Sequence, residues 1–255
     1  MKLKKTIKLI LALLYYNLYG RYRKQVGNRV ILYHSIGSEL KHDSYGISIS
    51  KERFFEHMKY LKSNFEIIPL DNNYFNSLNK ETISITFDDG YKDNLYALHV
   101  CEEFQIPFTL YITTEMIGEK EYLTKEDILL FAKSPLCTLG THSVTHPHLG
   151  NLDYKEQYDE LYKSKMTLEN IVGEKIVHMS YPHGSFNQDT LKLVEEIGYK
   201  YVSSSEIGKN TQNNLNYKMI KRVEIIASDN TKELFRKIAG YYDYLSLIHN
   251  KSCDK

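Results

Sequence analysis

From residue 29 onward, apolar runs of strand length alternate with segments whose apolar residues recur at helical spacing, the pattern of a parallel sheet wrapped by helices. Residues 29–33 (RVILY) predict a first buried strand. Ser50 has the side chain to cap a helix carrying Phe54, Phe55, Met58 and Leu61, and residues 65–68 then predict a strand ended by Pro69. Residues 82–87 (TISITF) predict a strand that runs into Asp88-Asp89-Gly90. A helix with Leu95, Leu98 and Cys101 on one face leads from there to a strand at 108–112. A helix at 125–132, a strand at 136–139, a long polar helix at 153–172 and a strand at 177–180 follow, opening into a turn at 181–184. A helix ending near Ile197, a strand around Tyr201, an extended stretch from Tyr217 to Ile226 and a helix from Asn230 complete the pattern. The polar stretch 208–216 reads as a surface loop. No repeat or composition break divides residues 27–255, so they are expected to form one α/β domain, a size that parallel barrels reach.

Residues 1–26 stand apart. Four lysines lead an apolar run that Asn17 and the basic stretch 20–24 soon close, which is too short to span a bilayer comfortably. The run resembles a signal-peptide core, yet no small-x-small cleavage site follows. The other readings are an interfacial helix held by lysines and tyrosines, or an ordinary docking helix. A membrane-associated or extracytoplasmic protein is the expectation.

Charge narrows the partners. The 33 lysines and arginines against 32 acids leave +1, with no basic stripe beyond the N-terminus, which argues against nucleic acid. Twenty-two tyrosines and no tryptophan suit sugar surfaces as well as packing, since a phenol joins an apolar face to a hydroxyl. Cys101, Cys137 and Cys253 are odd in number and widely spaced, so they read as structural thiols.

The polar clusters follow predicted strand ends: His34, Asp88 with Asp89, His142 with His146, and His183. Strand ends of a parallel barrel share one rim, so these groups are expected to face one pocket. Adjacent strand residues point to opposite sides, which lets Asp88 and Asp89 diverge and take different roles. Two carboxylates this close also raise each other's pKa unless a cation offsets them, which hints at a metal, although an Asp-Asp-Gly tripeptide alone also describes a solvated turn. His142 and His146 are four apart, a spacing that joins imidazoles on one helical turn, and two imidazoles with a carboxylate are a common zinc set. The lone histidines His42, His57, His99 and His178 take structural readings.

Thr86-Phe-Asp-Asp-Gly90 together with His142-Ser-Val-Thr-His146 resembles the first two motifs of the polysaccharide deacetylase family, the NodB-homology enzymes of carbohydrate esterase family 4, over roughly residues 30–240. The resemblance implies a distorted parallel (β/α) barrel that hydrolyses N-acetyl, less often O-acetyl, groups on glycans. It implies Asp88 as general base and Asp89, His142 and His146 as ligands of a divalent metal. Zinc is the expected ion, while cobalt, nickel or manganese fit the same donors. The third motif, usually Arg-x-Pro-Tyr, stands here as Ser180-Tyr-Pro-His183, which assigns Tyr181, Pro182 and His183 to the substrate wall and leaves the base without its usual arginine. Arg222 is the expected replacement, the alternative being an exposed charge beside a strand. The family's acetyl-pocket tryptophan is missing too, and Tyr199 or Tyr201 is expected to line that pocket. For the proton donor, Tyr33-His-Ser-Ile36 resembles the segment that carries the acid in the poly-N-acetylglucosamine deacetylase subgroup, where the motif order is permuted. His34 is therefore expected, with His249 in Leu247-Ile-His249 as the alternative.

The sequence thus predicts a monomeric, metal-dependent hydrolase acting on an N-acetylhexosamine polymer or a surface-polysaccharide precursor, with an acetylated polysaccharide or oligosaccharide as its partner. An O-acetyl or cyclic-amide hydrolase with the same site, and a glycan-binding pseudoenzyme, are the alternatives.

Overall fold

The computed structural model describes residues 2–22, 25–41 and 43–249. His42 and Cys253 lie outside the described residues, as does the side chain of His249. The chain runs through α1 (Lys2–Leu18), β1 (Asn28–Tyr33), β2 (Ser35–Ile36), β3 (Ser48–Ile49), α2 (Lys51–Asn64), β4 (Glu66–Ile67), α3 (Tyr74–Ser77), β5 (Thr82–Phe87), α4 (Asn94–Glu103) and β6 (Phe108–Ile112). It continues through α5 (Lys125–Lys133), β7 (Cys137–Thr141), α6 (Tyr154–Val172), β8 (His178–Ser180), α7 (Gln188–Glu196), β9 (Tyr201–Ser203), β10 (Arg222–Glu224), α8 (Thr231–Ala239) and α9 (Ser246–His249).

Eight strands form one sheet in the order β10-β1-β5-β6-β7-β8-β9, with β4 beside β5, and every pairing is parallel. The chain entering β10 returns to β9. Val202 N–H donates to Tyr217 O at 2.7 Å, Ile220 N–H to Val202 O at 2.8 Å, and Ser204 N–H to Ile220 O at 2.9 Å. Those bonds leave the sheet a nearly closed barrel, the architecture expected from the sequence.

β5 shows how the barrel places its chemistry. Along TISITF, Ile83, Ile85 and Phe87 join the main apolar core with helix residues such as Phe54, Leu98 and Cys101. Burying each such side chain contributes about 1.5–3 kcal/mol relative to exposure. Thr82, Ser84 and Thr86 take the other face, where Asn28 Nδ2 donates to Thr82 Oγ1 and Ser84 Oγ at 3.0 and 3.1 Å, and Arg222 reaches Thr86. The interior is therefore polar and hydrogen-bonded, and the period-2 alternation delivers the next residue, Asp88, into it.

Helix caps were legible. Ser50 accepts from Arg53 N–H, Asp153 and Glu156 form a capping box, and Asn230 accepts from Glu233 N–H. Three elements differ from expectation. The strand at 65–68 shrinks to two residues because Pro69 has no N–H to continue the ladder, although Ile68 N–H still reaches Ile83 O at 2.9 Å. The stretch 217–226 breaks into a bridge at Ile220 and the short β10. The 208–216 stretch is not wholly a surface loop: Asn210 and Thr211 are buried, and Asn210 exchanges backbone bonds of 2.8 and 2.9 Å with Asn28, satisfying the buried backbone at the start of β1. Cys101 and Cys137 are free thiols, the first buried.

α1 docks on the C-terminal elements. Ala12 is fully buried, Tyr16 stacks on Tyr241 with centroids 3.7 Å apart, and Tyr15 lies 5.9 Å from Tyr244. Among the described residues, no helix is long and apolar enough to cross a membrane.

Candidate metal and catalytic site

The parallel strands end together. β1 is followed by His34, β5 by Asp88 and Asp89, β7 by His142, and β8 by Tyr181 to His183. All of these except Pro182, with Arg222 and His146, line one pocket of about 950 Å³; Pro182 is buried within its turn.

Asp88 and Asp89 do take different directions. Asp88 continues the inward face of β5, its N–H donating to Tyr33 O at 3.0 Å. Asp89 sits at φ 75°, a left-handed conformation that Asp tolerates better than most residues, and the turn brings its carboxylate back to the rim.

Arg222 starts on β10 at the register of Val30 and sends its guanidinium along the barrel interior. It binds Asp88 through both forks, Nη1 to Oδ1 at 2.7 Å and Nη2 to Oδ2 at 2.8 Å, while Nε donates to Ser204 O at 2.9 Å. Both partners are buried. Ser180, at the position where the usual third motif has arginine, accepts from Arg222 Nη2 at 2.7 Å and donates to Asp88 Oδ2 at 3.1 Å. The small hydroxyl leaves room for an arginine arriving from another strand. Burial alone would raise the Asp88 carboxyl, but Arg222, with His142 and His34, holds it well below the usual carboxylate range. Tyr111 packs beneath, its ring 5.7 Å from the guanidinium carbon. Gly140 makes room for that ring, since a Cβ there would meet Tyr111 Cδ1 at 2.6 Å.

His142 and His146 meet without a helix. Their segment is a loop in which Ser143 and His146 have φ of 63° and 62°, so the expected helical turn is replaced by two left-handed residues. Glu160 on α6 stabilises that backbone, its carboxylate accepting from Val144 N–H at 2.8 Å, Thr145 N–H at 2.9 Å and Thr145 Oγ1 at 2.8 Å. His142 Nδ1 is 2.8 Å from Ser180 O, and because a carbonyl only accepts, Nδ1 carries the proton and Nε2 a lone pair. Burial pushes the His142 pKa down to about 4, which keeps that lone pair free at neutral pH.

Asp89, His142 and His146 form a cluster able to hold a metal ion. The Nε2 atoms are 3.1 Å apart, and Asp89 Oδ1 lies 3.5 Å from one and 3.4 Å from the other. Donors around a tetrahedral ion with bonds of 2.0–2.1 Å stand about 3.3 Å apart. The three atoms therefore fit a divalent metal, and His142 already has the backbone carbonyl partner that orients metal-binding imidazoles.

His34 faces the same pocket, its Nδ1 3.8 Å from Glu224 Oε1, longer than a hydrogen bond. His183, at φ 57°, stacks on His148 with centroids 4.1 Å apart and meets His146 edge-on at 4.4 Å. Neither Tyr199 nor Tyr201 lines the pocket, contrary to expectation. Tyr199 is buried against Thr141 and Leu161, and Tyr201 stacks on His178 and bonds Asn72. The tyrosines at the pocket wall are Tyr45, Tyr91, Tyr122, Tyr181 and Tyr242. Sequence reasoning missed Ser180, Glu160 and Glu224; only Ser180 carried a local signal, as the residue standing in the motif's arginine position.

Comparison with known proteins agrees with this arrangement. A family model described as polysaccharide deacetylase matches residues 75–202. The chain is 30% identical over 186 residues to YxkH of Bacillus subtilis (strain 168), a protein named for the same family, across 70% of this chain and 64% of that relative. It is thus matched to just under two-thirds of that protein's length. It is 27% identical over 249 residues to the poly-beta-1,6-N-acetyl-D-glucosamine N-deacetylase of Staphylococcus aureus (strain N315), across 88% of this chain and 82% of the relative. Among solved structures, a Bacillus anthracis protein assigned to the polysaccharide deacetylases superposes with a TM-score of 0.74 at 26% identity, across 83% of this chain and 69% of its own. A barrel rim that gathers both acidic residues of the Thr86–Gly90 motif with His142 and His146, and a family match over half the chain, lead to one conclusion: this chain belongs to the polysaccharide deacetylase family, a family of carbon–nitrogen hydrolases.

Proposed function

We propose that this protein removes N-acetyl groups from a glycan and releases acetate, with an N-acetylhexosamine polymer or a surface-polysaccharide precursor as substrate. The observation that carries the reading is a carboxylate clamped by a buried arginine beside a two-histidine, one-aspartate donor set in a single pocket. Similarity to a poly-β-1,6-N-acetylglucosamine deacetylase over most of the chain supports the polymer class.

A divalent metal on Asp89, His142 and His146, zinc by donor type, would supply Lewis acidity at the acetyl carbonyl. The protein's own groups do the proton work. Asp88, kept ionised and immobile by Arg222 and Ser180, accepts the proton of the attacking water. His34, at the end of β1 and facing the same pocket, donates to the departing amine. Tyr181 and His183 wall the acetyl end of the pocket.

Acetate release from paired N- and O-acetylated oligosaccharides tests the reading. Turnover of the N-acetylated set, abolished by a chelator and restored by zinc, cobalt, nickel or manganese, is the expected result. Turnover of O-acetyl sugars alone would replace the amide substrate with an ester. Tight glycan binding without acetate release by metal-loaded protein would make the chain a binding protein. His34→Gln is expected to lower kcat on an N-acetyl substrate by about 10²–10⁴-fold. A chromogenic acetate ester, whose phenolate leaves without a proton, should lose far less in that variant.

A further inference from the structure

α1 has two faces. One is docked: Ala12 is fully buried and Tyr16 stacks on Tyr241. On the other, Ile7, Leu11, Leu14 and Leu18 follow one another at i, i+4, i+7 and i+11, with Ile10 beside them, and each is 47 to 76% exposed. Scattered exposed leucines are ordinary, whereas a row along about three helical turns marks an interaction surface.

The composition around the row identifies what covers it. Residues 1–27 hold seven lysines and arginines, and no acid occurs before Glu39, in a chain whose net charge is only +1. Tyr19 and Tyr22, just beyond the row, are also exposed. A row of Leu and Ile flanked by cations and ended by tyrosines is complementary to an anionic lipid surface. Seventeen helical residues extend about 25 Å, short of the roughly 30 Å hydrocarbon core, so the helix suits the interface plane.

We propose that α1 lies in the plane of an anionic membrane surface, with Ile7, Leu11, Leu14 and Leu18 toward the acyl chains and the basic residues at the lipid phosphates. Lys8, on the flank of the same helix, lines the catalytic pocket together with Tyr242 and Leu245. The pocket therefore opens beside the lipid surface, where a glycan attached to or emerging from the membrane would meet it. That consequence rests on the deacetylase reading, while lipid binding itself does not.

Co-sedimentation of the full chain with phosphatidylcholine vesicles, with and without phosphatidylglycerol, tests the proposal. Binding is expected only to the anionic vesicles, weaker in high salt, and reduced about tenfold or more in Leu11→Asp/Leu14→Asp. The variant's acetate release from a short soluble oligosaccharide and its thermal midpoint should match wild type. Leu18→Asp, at the most exposed position, repeats the test should the double variant unfold. Absence of wild-type binding to anionic vesicles overturns the proposal, as does equal binding by folded variants. So does light scattering that shows a dimer dissolved by the same substitutions, because a second copy would then cover the row.

Discussion

Asp88→Asn is expected to lower kcat for acetate release by about 10²–10⁴-fold while leaving metal content unchanged. The amide keeps the shape of the carboxylate but cannot take a proton from water, so the loss falls on kcat. Asp89, His142 and His146 keep their mutual distances because none depends on Asp88 for its place: Asp89 is set by its own backbone turn, His142 by Ser180 O, and His146 by the loop that Glu160 pins. Elemental analysis alongside single-turnover acetate assays separates the outcomes. Full activity would remove Asp88 as the base, and loss of metal together with activity would make it a ligand.

Arg222→Met should destabilise the fold by about 3–5 kcal/mol and reduce turnover as well, because it strands a buried carboxylate without its counter-ion. Had Arg222 been an exposed charge flanking a strand, the change would stay within about 0.5 kcal/mol. The pair also sets a pH window. The Asp88 pKa is depressed in the folded state, so the pair's contribution is fully present above the unfolded carboxylate value of about 4 and is lost as the pH falls toward the depressed one. Combining Arg222→Met with Asp88→Asn should recover most of the stability, since the stranded charge is gone, and none of the activity. Urea melts of the four proteins at pH 7 measure the coupling, and an additive cycle would mean that the two side chains do not depend on each other.

Much of this was legible in the residue order. The TISITF strand has its predicted ends, and the long polar helix runs to Val172 from a cap at Asp153 as predicted, because apolar period and capping side chains are local properties. The placement of His34, Asp88, Asp89 and His142 after strands also followed, since parallel strands aim their ends to one rim. The reading failed where distant chain segments compete for the same space. The Tyr199 and Tyr201 side chains turned away from the pocket because Thr141, Leu161, His178 and Asn72 offered packing and hydrogen bonds that no local pattern encodes.

By itself, then, the sequence determined the barrel class, the donor types and the order in which they reach the rim, because each depends on residue identity and on spacing within one element. The tertiary structure decided which groups meet. Arg222 and Asp88 are 134 positions apart, and their pairing requires β10 to lie beside β1 with Ser180 small enough to admit the guanidinium. Likewise, the left-handed turn that joins His142 to His146 is held by Glu160 from a later helix. Contacts of this kind depend on the register of a nearly closed sheet, which is set only when every strand has found its neighbour.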